Sequence, residues 1–186
     1  QKTISEDSCQ NLAVSEKAFF ATGCFWGAER RFWKLPGVIN TSVGYMGGEK
    51  SNPSYQEVCT GSTNHAETVE VEFDSNQISY LRLLEEFWTM HDPTSLNRQG
   101  GDIGTQYRSA IFTTSPEQMI SAINTREIYN DVVKEAGYGE IVTEITDASP
   151  HRFWLAEEYH QRYLEKNPDG YDCHSSTGVA FPKVTR

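Results

Sequence analysis

The chain has 186 residues, with 26 acidic against 16 basic side chains and a formal net charge of −10. That length suits one domain, which hides about 70% of its unfolded surface and needs no second module. The acidic excess and the scatter of the basic residues argue against nucleic acid or an anionic membrane as partner, and no apolar run approaches the ~20 residues that span a bilayer.

No leader with a basic start and an apolar middle is present, and the chain begins at Gln1 without a methionine, which leaves room for a segment removed from a longer product. Residues 1–16 are polar and read as a loose arm, 17–166 as the folded catalytic body, and 167–186 as a tail rich in turn residues. Strand-like Lys17–Ala21 runs into Gly23-Cys24-Phe25-Trp26-Gly27 and then a helix-like stretch over Trp26–Lys34. Val38–Tyr45 reads as a second strand, Glu49–His65 as a long polar loop, and Thr68–Phe73 as a half-buried strand by its strict alternation of apolar and charged residues.

Ser79–Met90 carries Leu81, Leu84, Phe87 and Trp88 at helical spacing, whereas His91–Gln106 has little apolar content and three glycines and reads as an irregular loop. Tyr107–Thr113 is a further strand. Ser115-Pro116-Glu117-Gln118 opens a helix that lasts to about Ala136, with Ser115 as its cap. Ile141–Ile145 reads as a strand and Ser149–Lys166 as a last helix. The mixture predicts a single-domain α+β fold, a mixed or antiparallel sheet with packed helices in a ferredoxin-like two-layer sandwich, ending in a long irregular C-terminal tail.

Cys9, Cys24, Cys59 and Cys173 form no Cys-x-x-Cys pair and no zinc spacing, and they are too few for a disulfide scaffold. A cytoplasmic thiol protein without a metal is the expectation. The five histidines lie in separate segments and read as solvated or hydrogen-bonded side chains. Cys24 stands out because a strand delivers it to a helix start, where free N–H groups and the helix dipole favour a thiolate near neutral pH. Glycines on both sides let a ligand approach, although a buried cysteine also serves as a small hydrophobe.

Glu67, placed by alternation with Val69 and Val71, faces the apolar side, where desolvation raises a carboxyl pKa and keeps a proton available for donation. Phe25 and Trp26 suit the wall of an apolar pocket. Tyr55, Asp102 and Tyr107 suit hydrogen bonds to a small polar substrate group, or, taken singly, a core ring or an Asx turn. Cys173, beside Gly170-Tyr171 in the tail, is equally an inert thiol or the second thiol that resolves an oxidised first one.

Five blocks in order carry a resemblance to the A-type peptide methionine sulfoxide reductases: Gly23-Cys24-Phe25-Trp26-Gly27, Asn64-His65-Ala66-Glu67, His91-Asp92-Pro93-Thr94, Gly104-Thr105-Gln106-Tyr107-Arg108-Ser109 and Ala156-Glu157-Glu158-Tyr159-His160-Gln161. The resemblance implies that Cys24 attacks the sulfur of a free or peptide-bound methionine S-sulfoxide, that Glu67 protonates the leaving oxygen, and that a sulfenic acid remains on Cys24. It implies a methyl pocket at Phe25 and Trp26, and contacts from Tyr55, Asp102 and Tyr107 to the sulfoxide oxygen. It further implies protein repair without a cofactor. Many relatives carry two tail cysteines, whereas this tail has Cys173 alone, which favours a Cys24–Cys173 disulfide reduced by a thioredoxin-like donor and leaves the part of Cys59 open. A monomer is expected. The competing readings are a cysteine hydrolase, for which His65 is the tempting base, and a non-enzymatic thiol interaction module.

Overall fold

The computed structural model describes residues 15–172 and 175–183; Cys9 and Cys173 lie outside them. In chain order the elements are β1 (Ser15–Thr22), α1 (Phe25–Trp33), β2 (Val38–Met46), α2 (Tyr55–Cys59), β3 (Ala66–Asp74) and α3 (Tyr80–Met90). A two-stranded ribbon follows, β4 (Arg98–Gln99) with β5 (Asp102–Ile103), then a 3₁₀ turn at Thr105–Tyr107. β6 (Ser109–Thr113), α4 (Pro116–Glu135), β7 (Glu144–Asp147), β8 (Trp154–Leu155), a 3₁₀ turn at Glu158–His160 and α5 (Tyr163–Lys166) complete the order.

Six strands form one mixed sheet in the order β7-β6-β1-β3-β2-β8, with only β6–β7 parallel. The alternation of β3 explains its central place: Glu67, Val69, Val71 and Phe73 turn to the main core while Glu70 and Glu72 stay half-buried on the other face. The main core also takes Phe25, Ala28 and Phe32 from α1, Leu83, Leu84, Phe87 and Trp88 from α3, and Ala122, Tyr129 and Val133 from α4. The helices therefore cover one face. On the opposite face a smaller cluster, including Phe19, Met46 and Phe112, is met by Ala148 and Phe153. No helix among the described residues is long and apolar enough to cross a membrane.

The helix starts obey their caps, with Ser79 Oγ accepting from Arg82 N at 3.1 Å and Ser115 Oγ from Gln118 N at 3.2 Å. Three expectations need correction. The loop 49–65 contains α2, opened by a capping box between Ser54 and Glu57 that satisfies two helix-end donors. The loop 91–106 carries the β4–β5 ribbon. Ser149–Lys166 reads as one last helix, yet the segment breaks into β8, a 3₁₀ turn and α5 because its polar groups are spent on the edge of β2. Ala156 N donates to Val43 O at 3.0 Å, and the Gln161 side chain bonds Val43 N and Val43 O, each at 2.9 Å. Arg162, at φ 53°, then turns the chain into α5, and its N–H bonds the buried Glu29 carboxylate at 2.8 Å.

Phe20 sits at the middle of this packing, 0% exposed, with its ring 5.0 Å from that of Phe32 and 5.4 Å from that of Phe87. Phe20→Ala should lower the free energy of unfolding by about 3–5 kcal/mol, read from urea denaturation, because a buried phenylalanine leaves a cavity that close-packed neighbours fill only in part.

Candidate active site

β1 ends at Thr22 and the chain turns at Gly23 with φ +103°, a conformation that side chains rarely adopt. A Cβ there would stand 2.8 Å from Gln99 Cγ, so the turn also depends on close approach of the ribbon. Gln99 is itself fixed, its amide bonding Asp92 N at 3.0 Å and Asp92 O at 2.7 Å. The next residue, Cys24, occupies the N-cap of α1 in place of a hydroxyl or carboxyl cap. Its side chain makes no cap hydrogen bond, but the backbone N–H groups of Trp26 and Gly27 at the helix start pull the thiol's pKa down.

The expectation of a resting thiolate is nevertheless corrected. Burial pushes the Cys24 thiol well above its ordinary range, and the nearby carboxyls of Glu67 and Asp102 push the same way, against the smaller pull of the two amides. Cys24 therefore rests as a thiol, and its activation depends on what enters the pocket.

Glu67 lies at the start of β3 opposite Tyr45 of β2, only 2% exposed, with Oε1 accepting from Phe25 N at 3.2 Å. Burial raises its carboxyl to about 8, opposed by the Phe25 amide and assisted by Asp102. At neutral pH the group is therefore mostly protonated and able to donate. Tyr55 and Tyr107 are also raised, chiefly by burial, with the Cys59 thiol beside Tyr55 pushing the same way, so both phenols stay O–H donors.

Cys24, Phe25, Trp26, Tyr55, Glu67, Asp102 and Tyr107 all line one cavity of about 200 Å³. These residues come from α1, α2, β3, β5 and the 3₁₀ turn before β6, or from the cap of α1. One further lining residue, Tyr171, is missed by the sequence reading; its hydroxyl donates to Asp102 Oδ1 at 3.1 Å. Its signal was position, two residues before Cys173. Asp102 Oδ2 is buried without a hydrogen-bond partner among the described residues, leaving an acceptor free beside the thiol. The adjoining Asp172 pairs with Arg30 of α1, so the tail is anchored next to the pocket just before Cys173.

His65 does not line the cavity. Its Nδ1 accepts from Gly48 N at 3.0 Å and its Nε2 meets Lys50 O at 2.7 Å, which commits the ring to bracing the 47–65 loop. His160, read above as solvated or hydrogen-bonded, is fully buried behind Phe25, Trp26 and Tyr55. No group of three or more His, Cys, Asp or Glu side chains among the described residues is arranged to hold a metal ion. A space this small, with a thiol, a proton donor, two phenols and an apolar wall, is built for a compact polar group on a short apolar arm.

The raised Glu67 carboxyl also costs stability. Its proton is held in the folded state and lost from the unfolded chain between the ordinary carboxyl value of 4.5 and about 8. Stability therefore falls as pH rises through that window and the loss is complete above it. Glu67→Gln removes the ionisation, so at pH 8 the variant should be more stable than the unaltered protein by about 2 kcal/mol or more, with the two converging near pH 4, as measured by denaturant titration across pH.

Comparison with known proteins gives one consistent answer. The family model described as peptide methionine sulfoxide reductase matches residues 16–185. The chain is 54% identical over 167 residues to a Synechocystis protein named peptide methionine sulfoxide reductase MsrA 1, covering 90% of this chain and 74% of that one. It is similar to the solved methionine sulfoxide reductase A of Corynebacterium diphtheriae at 47% identity and TM-score 0.82, covering 91% and 84% of the two chains. Mxr1 of Saccharomyces cerevisiae in reduced form aligns at 35% identity and TM-score 0.80, covering 89% and 93%. A structure of Mxr1 in complex with Trx2 aligns at 20% identity and TM-score 0.56, covering 93% and 97%, a likeness of fold alone. The chain belongs to the peptide methionine sulfoxide reductase family.

Proposed function

We propose that this protein reduces methionine S-sulfoxide, free or in proteins, to methionine, with Cys24 as nucleophile and Glu67 as proton donor. The single observation that carries the reading is the convergence of a thiol at a helix cap and a buried, protonated carboxyl on one 200 Å³ cavity. The fold supports it through the four inner strands, β6-β1-β3-β2, which we read as a ferredoxin-like unit bearing the site.

The sulfoxide methyl group lies against Phe25 and Trp26, and its oxygen points to Glu67, Tyr55 and Tyr107. Protonation of that oxygen makes the sulfur electrophilic, and the growing positive charge there draws the Cys24 proton off a thiol that burial otherwise keeps intact. The Cys24 sulfur then bonds the substrate sulfur; the protonated oxygen passes to the Cys24 sulfur as the substrate's sulfur–oxygen bond breaks, and methionine leaves with the electron pair of the sulfur–sulfur bond. Cys24 becomes a sulfenic acid, and the proton lost by the thiol restores Glu67. With oxygen, methyl group and side chain held by three different walls, one epimer alone presents its sulfur to Cys24.

In the return half, the Cys173 thiol attacks the sulfenic acid, releasing water and forming a Cys24–Cys173 disulfide, which a thioredoxin-type dithiol reduces. The anchoring of Tyr171 on Asp102 and of Asp172 on Arg30 supports a tail held close to Cys24. The sparse cysteines favour work in a reducing compartment such as the cytoplasm. Separated epimers of a methionine sulfoxide peptide, supplied with thioredoxin and its reductase, test this: turnover of the S epimer only, none for Cys24→Ser, and about one equivalent of methionine for Cys173→Ser. Turnover of the R epimer, or sustained turnover without Cys24, contradicts the proposal.

A further inference from the structure

One edge of the sheet ends in β8, a strand of two residues that pairs with β2 on its inner side. Ala156 N donates to Val43 O at 3.0 Å, so Val43 and Ala156 are a bonded pair of this antiparallel ladder. Bonded and non-bonded pairs alternate, which makes Gly44 and Leu155 the non-bonded one. Leu155 therefore turns its own N–H and C=O away from β2, out of the sheet. Among the described residues no further strand pairs with that edge. Unpaired edge groups of this kind are a template for an incoming strand.

Leu155 also lines a cleft of about 330 Å³ together with Pro53, Tyr55, Glu157 and Tyr159. Tyr55 lines the catalytic cavity as well, so the cleft continues the site toward β8. Its walls are fixed from within, because Glu157 Oε2 accepts from Tyr55 N and from Tyr159 Oη, each at 3.3 Å. Leu155 and Tyr159 are 64% and 55% exposed, and they offer apolar surface to whatever enters.

We propose that a polypeptide substrate docks on the edge of β8. An extended stretch beside its methionine sulfoxide pairs with the N–H and C=O of Leu155, and a flanking side chain rests in the cleft. The inference rests on the reading of the cavity as the methionine sulfoxide pocket. A space of about 200 Å³ takes one side chain, so the chain that bears it runs outside, past Tyr55 and along the cleft to Leu155. An extended backbone can satisfy both groups of one edge residue, and its hydrogen bonds supply affinity whatever its sequence. That suits an enzyme accepting methionine sulfoxide from many proteins. Free methionine sulfoxide fills the cavity without reaching the edge. One outward-facing residue is enough for such a contact and too little to join the sheets of two copies.

The test compares kcat/KM for N-acetylmethionine S-sulfoxide with that for a short peptide carrying the same sulfoxide in its middle. The unaltered protein should favour the peptide roughly tenfold. Leu155→Pro removes the outward N–H at a position where an edge strand tolerates proline, and it should lose most of that preference while turnover of N-acetylmethionine S-sulfoxide stays within about twofold. Leu155→Ala keeps both backbone groups and should retain the preference. Methylating the peptide amides one at a time probes the bond to Leu155 O and needs no variant to fold; one position should cost roughly fivefold. Equal kcat/KM for the two substrates overturns the inference. So does a preference that survives Leu155→Pro or every methylation, and so does a loss in Leu155→Ala as large as in Leu155→Pro. Turnover of neither substrate by the unaltered protein overturns the reading of the cavity itself, and the inference with it.

Discussion

The rest of the site depends on keeping one carboxyl out of water. Glu67 is placed by the alternation of β3 on the face that also carries Val69 and Val71, and its only hydrogen bond among the described residues is the N–H of Phe25. One amide does not compensate a buried negative charge, so the proton stays on. Below about 8 the same desolvation that makes the group a burden to an ionised fold makes it an acid in the pocket. Cys24 is governed by the same dryness in the opposite sense, since burial there withholds the nucleophile until positive charge arrives on the substrate. Two groups tuned by one low-dielectric space are thus silent apart and competent together when a sulfoxide lies between them.

That dryness needs a scaffold, and much of the second half of the chain supplies it. The β4–β5 ribbon carries Asp102 and packs Gln99 against Gly23, which links the acid side of the pocket to the turn that aims Cys24. The segment from Ala156 to Arg162 is fastened to β2 through Val43 and to α1 through Glu29, whose buried carboxylate also accepts from Thr41 Oγ1 at 2.7 Å. From this fastened segment come Glu157 and His160, the groups behind Tyr55 and Trp26. Further along, Val179 O accepts from Tyr129 Oη at 2.7 Å and Phe181 stacks on the same ring, so the tail is held to α4 beyond the pocket as well as beside it.

Local periodicity and caps made β1, β3, α1, α3 and α4 readable to within a few residues, because each of those elements satisfies its own backbone and shows its buried face in its spacing. The lining residues were readable for a different reason: Cys24 follows a strand and precedes a helix, and Glu67 interrupts an apolar face. What failed was whatever long-range contacts decide. The single helix expected over 149–166 gives way to hydrogen bonds to the edge of β2, more than a hundred residues away in sequence. The five-residue α2 was overlooked although Ser54 and Glu57 announce it, because the loop around it is polar throughout. Tyr171 reaches the pocket through folding of the C-terminal stretch, and its place two residues before Cys173 is the one hint of it in the sequence. The thiolate expectation failed on magnitude, since two amides at a helix start do not outweigh burial beside two carboxyls.

The measurement that bears most directly on the central claim is the pH dependence of the first turnover, methionine released per Cys24 before any recycling, for the unaltered protein and for Glu67→Gln. If a buried protonated carboxyl delivers the proton, the rate of the unaltered protein holds below about 8 and falls above it, approaching tenfold per pH unit, while Glu67→Gln is slower by roughly a hundredfold or more and loses that fall. A rate that climbs through pH 8 in both proteins, as ionisation of the thiol alone would produce, contradicts the account.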